Sequence, residues 1–559
     1  MNNHIIIKKL RTSVLWLCGI LMPLPWGGVG AGLLSSCTDW DDHYEAAATA
    51  EGSGLSLWQQ LKSQQQLSDF CQVLEQTKVF RMHKKTSVSY ADLLDAGQSF
   101  TVIAPVNGTF NRDSLLQLVE TAQGDSMVEK SFVLNHLSRS LTSVTAADGT
   151  IRMLNSKNVV LQNGTAEGIS LQQPNVHARN GILHVAERPM PFMHNIYEAL
   201  CDRPELSGIG SRLRDYETDY FNADASVSSG IVEGVPVYVD SVVTAYNKML
   251  QYIDFIDAED SLFWVVAPTT AGWERAWQDM THYFVYDEKT LKRDSLQQYW
   301  TVRALMDDAV FNMTDQYNTN DSLVSVRYRI DRLARTGNKP LYHVYYKPFE
   351  PGGILYGAKE VACSNGLIYE TAEWPYSPFN TYFVENWAET ERTSLIMAEK
   401  DCTYNPIAQP VDSVSEGYYL FIEPRTSTSN WELTFRLNDV LSGNYDVYAI
   451  VLPRNVGGTP VSASDLRPCK FKATINYITE DGSEKSFNCD NKQFTTDPLR
   501  VDTVLLAENF RFPATNFQQT DNRISLKLAC SITTRETANY SRRMCLDCIY
   551  LRPRTSKSE

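Results

Sequence analysis

Hydrophobic positions follow two different periods along the 559-residue chain. In the first two thirds, helical spacing such as that of Leu67, Phe70 and Leu74 alternates with short apolar runs that are typical of buried strands. From about residue 393, short alternating runs follow one another between turn residues and no helical spacing is found. The pattern predicts a multidomain protein in which α+β structure precedes an all-β region.

Seven short alternating runs make up the predicted all-β region, with turn residues between them. Such a series favours an antiparallel β-sandwich of jelly-roll type. The predicted strands are Tyr418 to Ile422, Trp431 to Leu437, Tyr445 to Leu452, Phe471 to Ile478, Val501 to Leu506, Ile524 to Leu528 and Cys545 to Leu551.

A repeated unit occupies the α+β region. The run Ser99 to Phe110 reappears as Ser261 to Trp273, with Ala267 163 residues after Ala104, and each copy combines a buried strand pattern with Ala-Pro and an aromatic residue. A second element follows each copy, Asn180 to Val185 in the first and Asn365 to Glu370 in the second. Two paired elements in the same order indicate two related α+β domains.

At these residues the sequence resembles the fasciclin domain, whose units act as interaction modules. The resemblance implies two fasciclin-like α+β domains and a role in binding or adhesion. The first copy carries the family pattern at Phe100, Thr101, Val102, Ala104, Pro105, Asn107, Phe110, Asn180, Gly181, His184 and Val185, with Asn135-His136 between the two elements.

The second copy departs from that pattern at its polar positions. Thr270 stands for the Asn, Trp273 for the Phe, Tyr369 for the His, and Arg303-Ala304 for the Asn-His pair. Its two elements are also 99 residues apart, against 77 in the first copy. We therefore expect a degenerate second domain with surface insertions between its elements, most readily at Thr314 to Ser322 and Leu341 to Leu355.

The N-terminus has the order of an export signal: basic residues, an apolar run at 13–24, and Leu34-Ser35-Ser36-Cys37. The last four residues resemble the lipobox of bacterial lipoproteins, which implies lipid attachment at Cys37; the alternative is an ordinary signal peptide with an incidental cysteine. The predicted divisions are a signal peptide at 1–36, a lipidated flexible tether at 37–54, fasciclin-like domains at 55–194 and 195–392, and a β-sandwich at 393–559.

The acidic stretch at 38–44 resembles the signal that sends some lipoproteins of Gram-negative bacteria to the cell surface, although an acidic tether is also simply well solvated. These features predict an outer-membrane, lipid-anchored protein facing the cell exterior. The formal charge is −15, and −18 without residues 1–36, which contain three basic and no acidic residues. A chain so acidic, without clustered Lys and Arg, is a poor candidate for binding nucleic acid.

Nine cysteines remain beyond Cys18 and Cys37, an odd number without regular spacing, so at least one is expected to be free. The pair Cys545 and Cys548 lies in a strand pattern, where residues three apart point to opposite faces. No second pair or nearby His completes a zinc site. We interpret these two as structural cysteines.

No catalytic, cofactor-binding or metal-ligating residue is predicted, since the chain lacks the motifs of metalloproteases, nucleotide-binding loops, nucleophile elbows and EF-hands. His136 is interpreted as an interior histidine bonded to a nearby turn. Asp307 and Asp308 are interpreted as a solvated helix face, because adjacent helical residues do not converge.

Two kinds of glycosylation signal occur, and each can also be explained by local backbone structure alone. Asn107-Gly-Thr109 and Asn163-Gly-Thr165 match the N-glycosylation sequon, and we interpret them as turns. Eight Asp-Ser or Asp-Thr pairs precede an aliphatic residue or Met and resemble bacterial O-glycosylation sites, which would place sugar on Ser114 or Ser241. The same pairs are typical of helix caps and strand starts.

Aromatic residues of the predicted sandwich could form a sugar platform, although most must lie in its core because alternate strand residues face inward. The predicted function is a surface binding or adhesion module, with no cofactor, in an accessory subunit that holds glycan or peptide for a TonB-dependent transporter and its binding lipoprotein. A cell-cell or matrix adhesin and a glycan hydrolase with unrecognised carboxylates are the alternatives. The candidate platform residues are Tyr418, Tyr419, Trp431, Tyr445 and Tyr448.

Overall fold

The computed structural model describes residues 54–554, except for the short gaps at 82–83, 145–148, 233–234, 315–317, 332–338, 459, 464, 490–492 and 520–522. It is mixed α+β, with many antiparallel sheets. The predicted signal peptide, Cys37 and the tether up to residue 53 lie outside the described residues.

Residues 55–194, called unit 1 below, form a seven-stranded sheet in the order β4-β3-β9-β8-β7-β6-β5, with a separate β1-β2 hairpin. The apolar faces of its helices pack against the buried strand β3. The elements are α1 (Leu57–Ser63), α2 (Ser68–Gln76), β1 (Lys78–Arg81), β2 (Lys84–Ser89), α3 (Tyr90–Asp95), β3 (Phe100–Pro105), α4 (Arg112–Leu118), α5 (Ala122–Val128), β4 (Leu137–Ser138), β5 (Gly149–Arg152), β6 (Asn158–Gln162), β7 (Thr165–Ala166), β8 (Ile169–Ala178) and β9 (Gly181–Ala186).

Residues 195–385, called unit 2, repeat this plan around a four-stranded sheet in the order β13-β12-β17-β16 and add the hairpins β10-β11 and β14-β15. The β14-β15 hairpin lies between the two sequence elements, where insertions were expected, whereas β10-β11 precedes both and was not predicted. The elements are α6 (Ile196–Asp202), α7 (Ser207–Arg214), β10 (Glu217–Val232), β11 (Val235–Asn247), α8 (Leu250–Ile253), β12 (Phe263–Pro268), α9 (Thr270–Thr281), α10 (Arg293–Met306), β13 (Val310–Asn312), β14 (Ser322–Asp331), β15 (Lys339–Tyr346), β16 (Lys359–Cys363), β17 (Gly366–Thr371) and α11 (Pro378–Thr381).

The two repeated sequence elements form the central parallel strand pair of each unit. In unit 1, β3 pairs with β9 so that Phe100 lies opposite Gly181; in unit 2, β12 pairs with β17 so that Phe263 lies opposite Gly366. The register is the same in both units. The repeat deduced from the sequence is therefore a structural repeat.

The asparagine before each second strand explains why Asn-Gly recurs. Asn180 accepts a hydrogen bond from Leu57 N–H at the start of α1 and donates to three carbonyls, one near the end of α3 and two in the loop before β3. Asn365 likewise accepts from Ile196 N–H at the start of α6 and donates to the carbonyls of Ile256 and Ala258. Each side chain ties the first helix of its unit to the central strands.

Residues 386–554, called the sandwich, form two antiparallel sheets. One sheet, named the outer sheet, has the order β20-β21-β29-β23-β27, with β18 also paired to β29. The other, named the inner sheet, has the order β19-β22-β28-β24-β25, with β26 paired to β24. The strands are β18 (Asn386–Glu389), β19 (Ile396–Lys400), β20 (Cys402–Ala408), β21 (Tyr418–Pro424), β22 (Glu432–Arg436), β23 (Gly443–Leu452), β24 (Lys470–Ile478), β25 (Glu484–Asn488), β26 (Phe494–Thr495), β27 (Asp502–Phe512), β28 (Ser525–Cys530) and β29 (Met544–Pro553).

Each of the seven strands predicted from the sequence coincides with a strand of the sandwich, namely β21, β22, β23, β24, β27, β28 and β29. The end strands β19, β20 and β25 were missed, because their residues are too exposed to alternate clearly. The jelly-roll type and the domain boundaries remain predictions.

Unit 2 and the sandwich share one continuous hydrophobic core. Phe517 of the sandwich packs against Phe284 and Trp300 of unit 2, with ring centroids 5.7 and 4.9 Å apart. At the edge of this contact Arg523 donates to the buried carboxylate of Asp287 at 2.6 Å. The two parts therefore bury apolar surface against each other as the layers of a single domain do.

Units 1 and 2 meet through charged side chains instead. Lys157 of unit 1 is 5% exposed, and its ammonium group donates to Glu198 at 2.8 Å, to Glu259, and to Ser364 at 3.0 Å. At the rim of the same interface, Arg152 pairs with Asp260 in solvent. A buried cation thus holds two carboxylates of the neighbouring unit.

Candidate ligand-binding surface

An aromatic row crosses the outer sheet of the sandwich. Trp387 of β18 lies opposite Tyr550 of β29, and Tyr550 lies opposite Tyr448 of β23. The Trp387 and Tyr550 rings are 4.5 Å apart at 13°, and the Tyr550 and Tyr448 rings are 4.7 Å apart at 9°. Cross-strand neighbours at this spacing stand upright on the sheet and stack face to face.

Stacking covers most of the aromatic faces but leaves one of them open. Tyr550, between the two other rings, is only 9% exposed, whereas Trp387 is 43% exposed. Among the described residues β18 pairs only with β29, so it forms an edge of the sheet. The face of the Trp387 indole that is turned away from Tyr550 therefore points outward beyond this edge. At the other end of the row Leu505 of β27 lies opposite Tyr448. The surface therefore presents one indole face, held in place by the rings behind it.

Polar groups border the row. The Arg552 guanidinium lies 4.8 Å from the Tyr448 ring centre and donates to its hydroxyl. Arg554 is already paired with Asp446 at 2.7 Å and with Glu508 at 2.8 Å. Burial, ahead of neighbouring charges, raises the pKa of Tyr550, so this phenol remains a hydrogen-bond donor at neutral pH. An open apolar face beside donors and acceptors is the composition of small-molecule sites.

A bulge in β29 places two more polar residues on this outer face. Val451 and Ala449 of β23, two residues apart, lie opposite Leu546 and Ile549 of β29, which are three residues apart. The extra residue directs both Asp547 and Cys548 away from the core. The prediction that Cys545 and Cys548 face opposite sides is therefore wrong, since Cys545 packs in an apolar cluster on the outer face.

All nine cysteines in the described part of the chain are buried, and no disulfide joins any two of them. Cys545 and Cys548 are at most 1% exposed, and burial raises the pKa of both thiols. Buried protonated thiols of this kind are inert, which agrees with the structural interpretation. Within the described ranges no three His, Cys, Asp or Glu side chains are grouped so that they could hold a metal ion.

Unit 1 offers a second candidate surface, an open cleft of about 620 Å³. Amide side chains line it and can both donate and accept hydrogen bonds, as hydroxyl-rich ligands require. Asn107, one of them, already donates to Gln65 O and Ser68 Oγ and accepts from Asp69 N–H. The lining residues are Gln64, Gln65, Gln66, Asn107 and Gln173.

Four of the candidate platform residues do not belong to the row. Trp431, Tyr445 and Tyr419 are 0, 2 and 6% exposed and lie in the hydrophobic clusters of the sandwich, and Tyr418 is half-buried at the start of β21. Tyr448 alone was identified. The sequence contains no local signal for Trp387 and Tyr550, because their contact joins strands more than 160 residues apart.

His136 is confirmed as an interior histidine. It is fully buried; its Nδ1 donates to Phe132 O at 2.7 Å, and its Nε2 accepts from Met190 N–H at 2.9 Å. Since the Phe132 carbonyl can only accept, these contacts require the neutral ring with its proton on Nδ1. Burial lowers the pKa of His136 to about 4, despite the bond to Phe132. It is unavailable as a ligand or base.

The interpretation of Asp307 and Asp308 as a solvated face is wrong. They are 2 and 0% exposed, at the buried C-terminal end of α10. Arg303, one turn earlier, donates to both oxygens of Asp307 at 2.6 and 3.0 Å, and Asp308 accepts from Ser325 Oγ at 2.9 Å. Each carboxylate has its own partners, so the two are separate structural groups.

The sequons are confirmed as turns. Gly108 and Gly164 have φ values of +76° and +78°, and Thr109 Oγ1 donates to Val106 O. Ser114 lies exposed in the first turn of α4, and Ser241 lies in β11. The O-glycosylation hypothesis and lipid attachment at Cys37 remain predictions. Among the described residues no helix has the length and hydropathy of a membrane span.

No protein-family model matches the chain, and a search of curated proteins finds no match. Among solved structures, the chain is similar to a FAS1 domain pair from the insect cell adhesion molecule fasciclin I, at 11% identity and a TM-score of 0.19, over 51% of this chain and 90% of that one. It is also similar to the C-terminal family 22 carbohydrate-binding module of Clostridium thermocellum Xyn10B, at 13% identity and a TM-score of 0.21, over 32% of this chain and 96% of that one.

A third similar structure is the CBM22-1 xylan-binding domain from Paenibacillus barcinonensis Xyn10C, at 15% identity and a TM-score of 0.20, over 31% of this chain and 93% of that one. The likenesses fit the α+β and β-sandwich parts of the chain coarsely. At TM-scores near 0.2 they describe neither a ligand nor a partner of this chain.

Proposed function

We propose that this chain is a binding protein that holds a glycan against the open indole face of Trp387. The observation that carries the proposal is the stacked row, which leaves one large apolar face exposed at a sheet edge. Exposing an indole to water is unfavourable, and the C–H face of a sugar ring removes it from water while its hydroxyls reach the polar border. Because Tyr550 and Tyr448 already fix the ring, little rotamer freedom is lost on binding.

Replacing Trp387 with alanine is expected to weaken glycan binding at least tenfold, which corresponds to about 1.4 kcal/mol. Leu505→Ala, at the closed end of the same row, is the matched control and is expected to change affinity less than twofold. Affinity gel electrophoresis against a panel of soluble polysaccharides identifies the ligand, and titration calorimetry then compares the variants. Equal affinity of wild type and Trp387→Ala for every glycan bound would contradict this site.

We further propose that the binding surface is displayed from an outer membrane through lipid on Cys37, as an accessory subunit of a TonB-dependent uptake complex. Its support is the order of the N-terminal sequence and the acidic charge. Mild-detergent purification of the tagged native protein tests it: stoichiometric recovery of a TonB-dependent transporter supports the subunit role, and recovery of the protein alone favours adhesion.

A glycan hydrolase is the alternative from another class. Glu389 and Asp547 are two carboxyl groups beside the row, but they are 3 and 2% exposed, so a polysaccharide cannot reach them in this conformation. Turnover of a bound glycan in the same polysaccharide panel would replace the binding proposal.

A further inference from the structure

Two buried carboxyl groups share one serine beside the aromatic row. Glu389 lies on β18, two residues after Trp387, and Asp547 lies in the bulge of the neighbouring strand β29. Ser415 Oγ donates to Glu389 Oε1 at 2.9 Å, and Ser415 N–H donates to Asp547 Oδ1 at 3.1 Å. The other oxygen of Glu389, Oε2, is buried and has no hydrogen-bond partner among the described residues.

Neither carboxyl group is paired with a cation in the described part of the chain. Arg392, the nearby guanidinium, donates to both oxygens of Glu416 at 3.2 and 3.0 Å. The groups that act electrostatically on Glu389 are themselves acidic: Glu391, Glu416 and Asp547. A buried carboxylate with one unsatisfied oxygen and acidic neighbours is far more stable when protonated.

The titration of these groups falls near neutral pH. Burial, ahead of the neighbouring acids, raises the pKa of Glu389 to about 8, and burial raises that of Asp547 to about 7. Both folded-state values lie above those of the unfolded chain. The folded arrangement, in which Ser415 bonds both carboxyl groups, therefore binds protons more tightly than the unfolded chain does. The stability that these protons give it is lost as pH rises through the folded-state pKa values.

The geometry connects this titration to Trp387. Residues two apart on a strand share a face, so Glu389 and Trp387 stand side by side on β18. This strand has only four residues, and among the described residues its one strand pairing is with β29, while the Asn386 side chain at its start donates to Asn438 O and Asp439 O. Ionising both carboxyl groups places two negative charges around one serine, on β18 and on the strand that holds it.

We propose that proton binding by Glu389 and Asp547 locks β18 to β29 and thereby fixes the indole of Trp387. The surface is rigid in mildly acidic solution and loosens in mild alkali. As a form of regulation this rests on the proposed glycan function, but the locking itself is independent of any ligand. A metal ion could also bring carboxylates together, yet no grouping suited to one is found in the described ranges.

The test follows Trp387 directly by 19F NMR of the full chain labelled with 5-fluorotryptophan. The sequence contains 11 tryptophans, and Trp387→Phe assigns the resonance of interest. We expect this resonance to titrate between pH 5 and 9 with a midpoint between 7 and 8, and to broaden or move towards the position of exposed indoles. Glutamine keeps the size of the Glu389 side chain and cannot ionise. In Glu389→Gln we therefore expect the titration of the Trp387 resonance to be lost, or its midpoint to fall to the pKa of Asp547 at about 7.

Glu385→Gln is the matched control, because Glu385 is exposed just before β18 and should leave the midpoint unchanged. Unchanged resonances of the other tryptophans show that each variant is folded. Absence of any titration between pH 5 and 9, the same midpoint in Glu389→Gln, or a midpoint moved by added Ca2+ would each overturn the proposal. A titration without glycan binding at any pH would uphold the lock and remove only the proposed ligand; where a glycan binds, its affinity is expected to fall severalfold from pH 6 to pH 9.

Discussion

Replacing Lys157 with methionine is expected to lower the free energy of unfolding by about 3–5 kcal/mol, because it leaves the Glu259 carboxylate buried without a cation and Glu198 with Lys130 alone. Methionine keeps much of the side-chain volume, so the cost is mainly that of unpaired charge. At roughly 2–4 °C per kcal/mol for a domain of 150–250 residues, the affected calorimetric transition should move down by on the order of 10 °C.

Arg152→Ala provides the comparison for this interface. Arg152 and Asp260 are more than half exposed, and exposed ion pairs contribute only about 0–1 kcal/mol. If the two substitutions lowered the transition equally, burial of the Lys157 cluster would not explain its effect. Adding Glu259→Gln to Lys157→Met should recover part of the loss, since it removes the carboxylate that has lost its cation.

Gly366→Ala is expected to cost about 4 kcal/mol or more, the range reserved for substitutions with a specific structural conflict. A Cβ at this position would lie 1.8 Å from the backbone oxygen of Phe263 across the central parallel pair, and φ is +139°. Neither strand can move aside without breaking its own hydrogen bonds. Because unit 2 shares its core with the sandwich, we expect both to unfold in the same transition, monitored by calorimetry and circular dichroism.

Two other glycines make this prediction specific. In Gly181→Ala the new Cβ would lie 2.0 Å from the backbone oxygen of Phe100. This substitution should destabilise unit 1 and leave the main unfolding transition of unit 2 and the sandwich unchanged. Gly97→Ala has open space around its Cβ and should change stability by less than about 0.5 kcal/mol. A sandwich transition unaffected by Gly366→Ala would show that the shared core does not couple the two parts.

The repeated elements could be predicted from the sequence because each is encoded locally. The apolar run around Ala104, the Asn-Gly pairs and the alternating strands of the sandwich depend on burial and backbone geometry within a few residues. Asn180 and Asn365 also have the same role in both units, which the sequence indicated only as a repetition.

The candidate site could not be predicted in the same way. Trp387, Tyr448 and Tyr550 belong to three strands, and only the pairing of those strands brings their rings together. The bulge in β29 places Asp547 on the same face of the sheet as Glu389. It arises from the pairing of β29 with β23 and has no signature in the sequence of either strand. The interpretation of Asp307 as solvated was wrong for a related reason. Its partner is Arg303, one helical turn earlier, and not the adjacent residue Asp308.

Strand β29 follows every other described strand of the outer sheet in the sequence and yet lies at the centre of that sheet, between β21 and β23. Because the chain is synthesised from its N-terminus, this central strand leaves the ribosome only after its neighbours in the sheet have been made. Until then the outer sheet is split, and the core shared with unit 2 cannot close. Unit 1 can complete its fold during synthesis, whereas unit 2 and the sandwich must wait for β29, so a chain truncated before β29 would have neither of them in its native state.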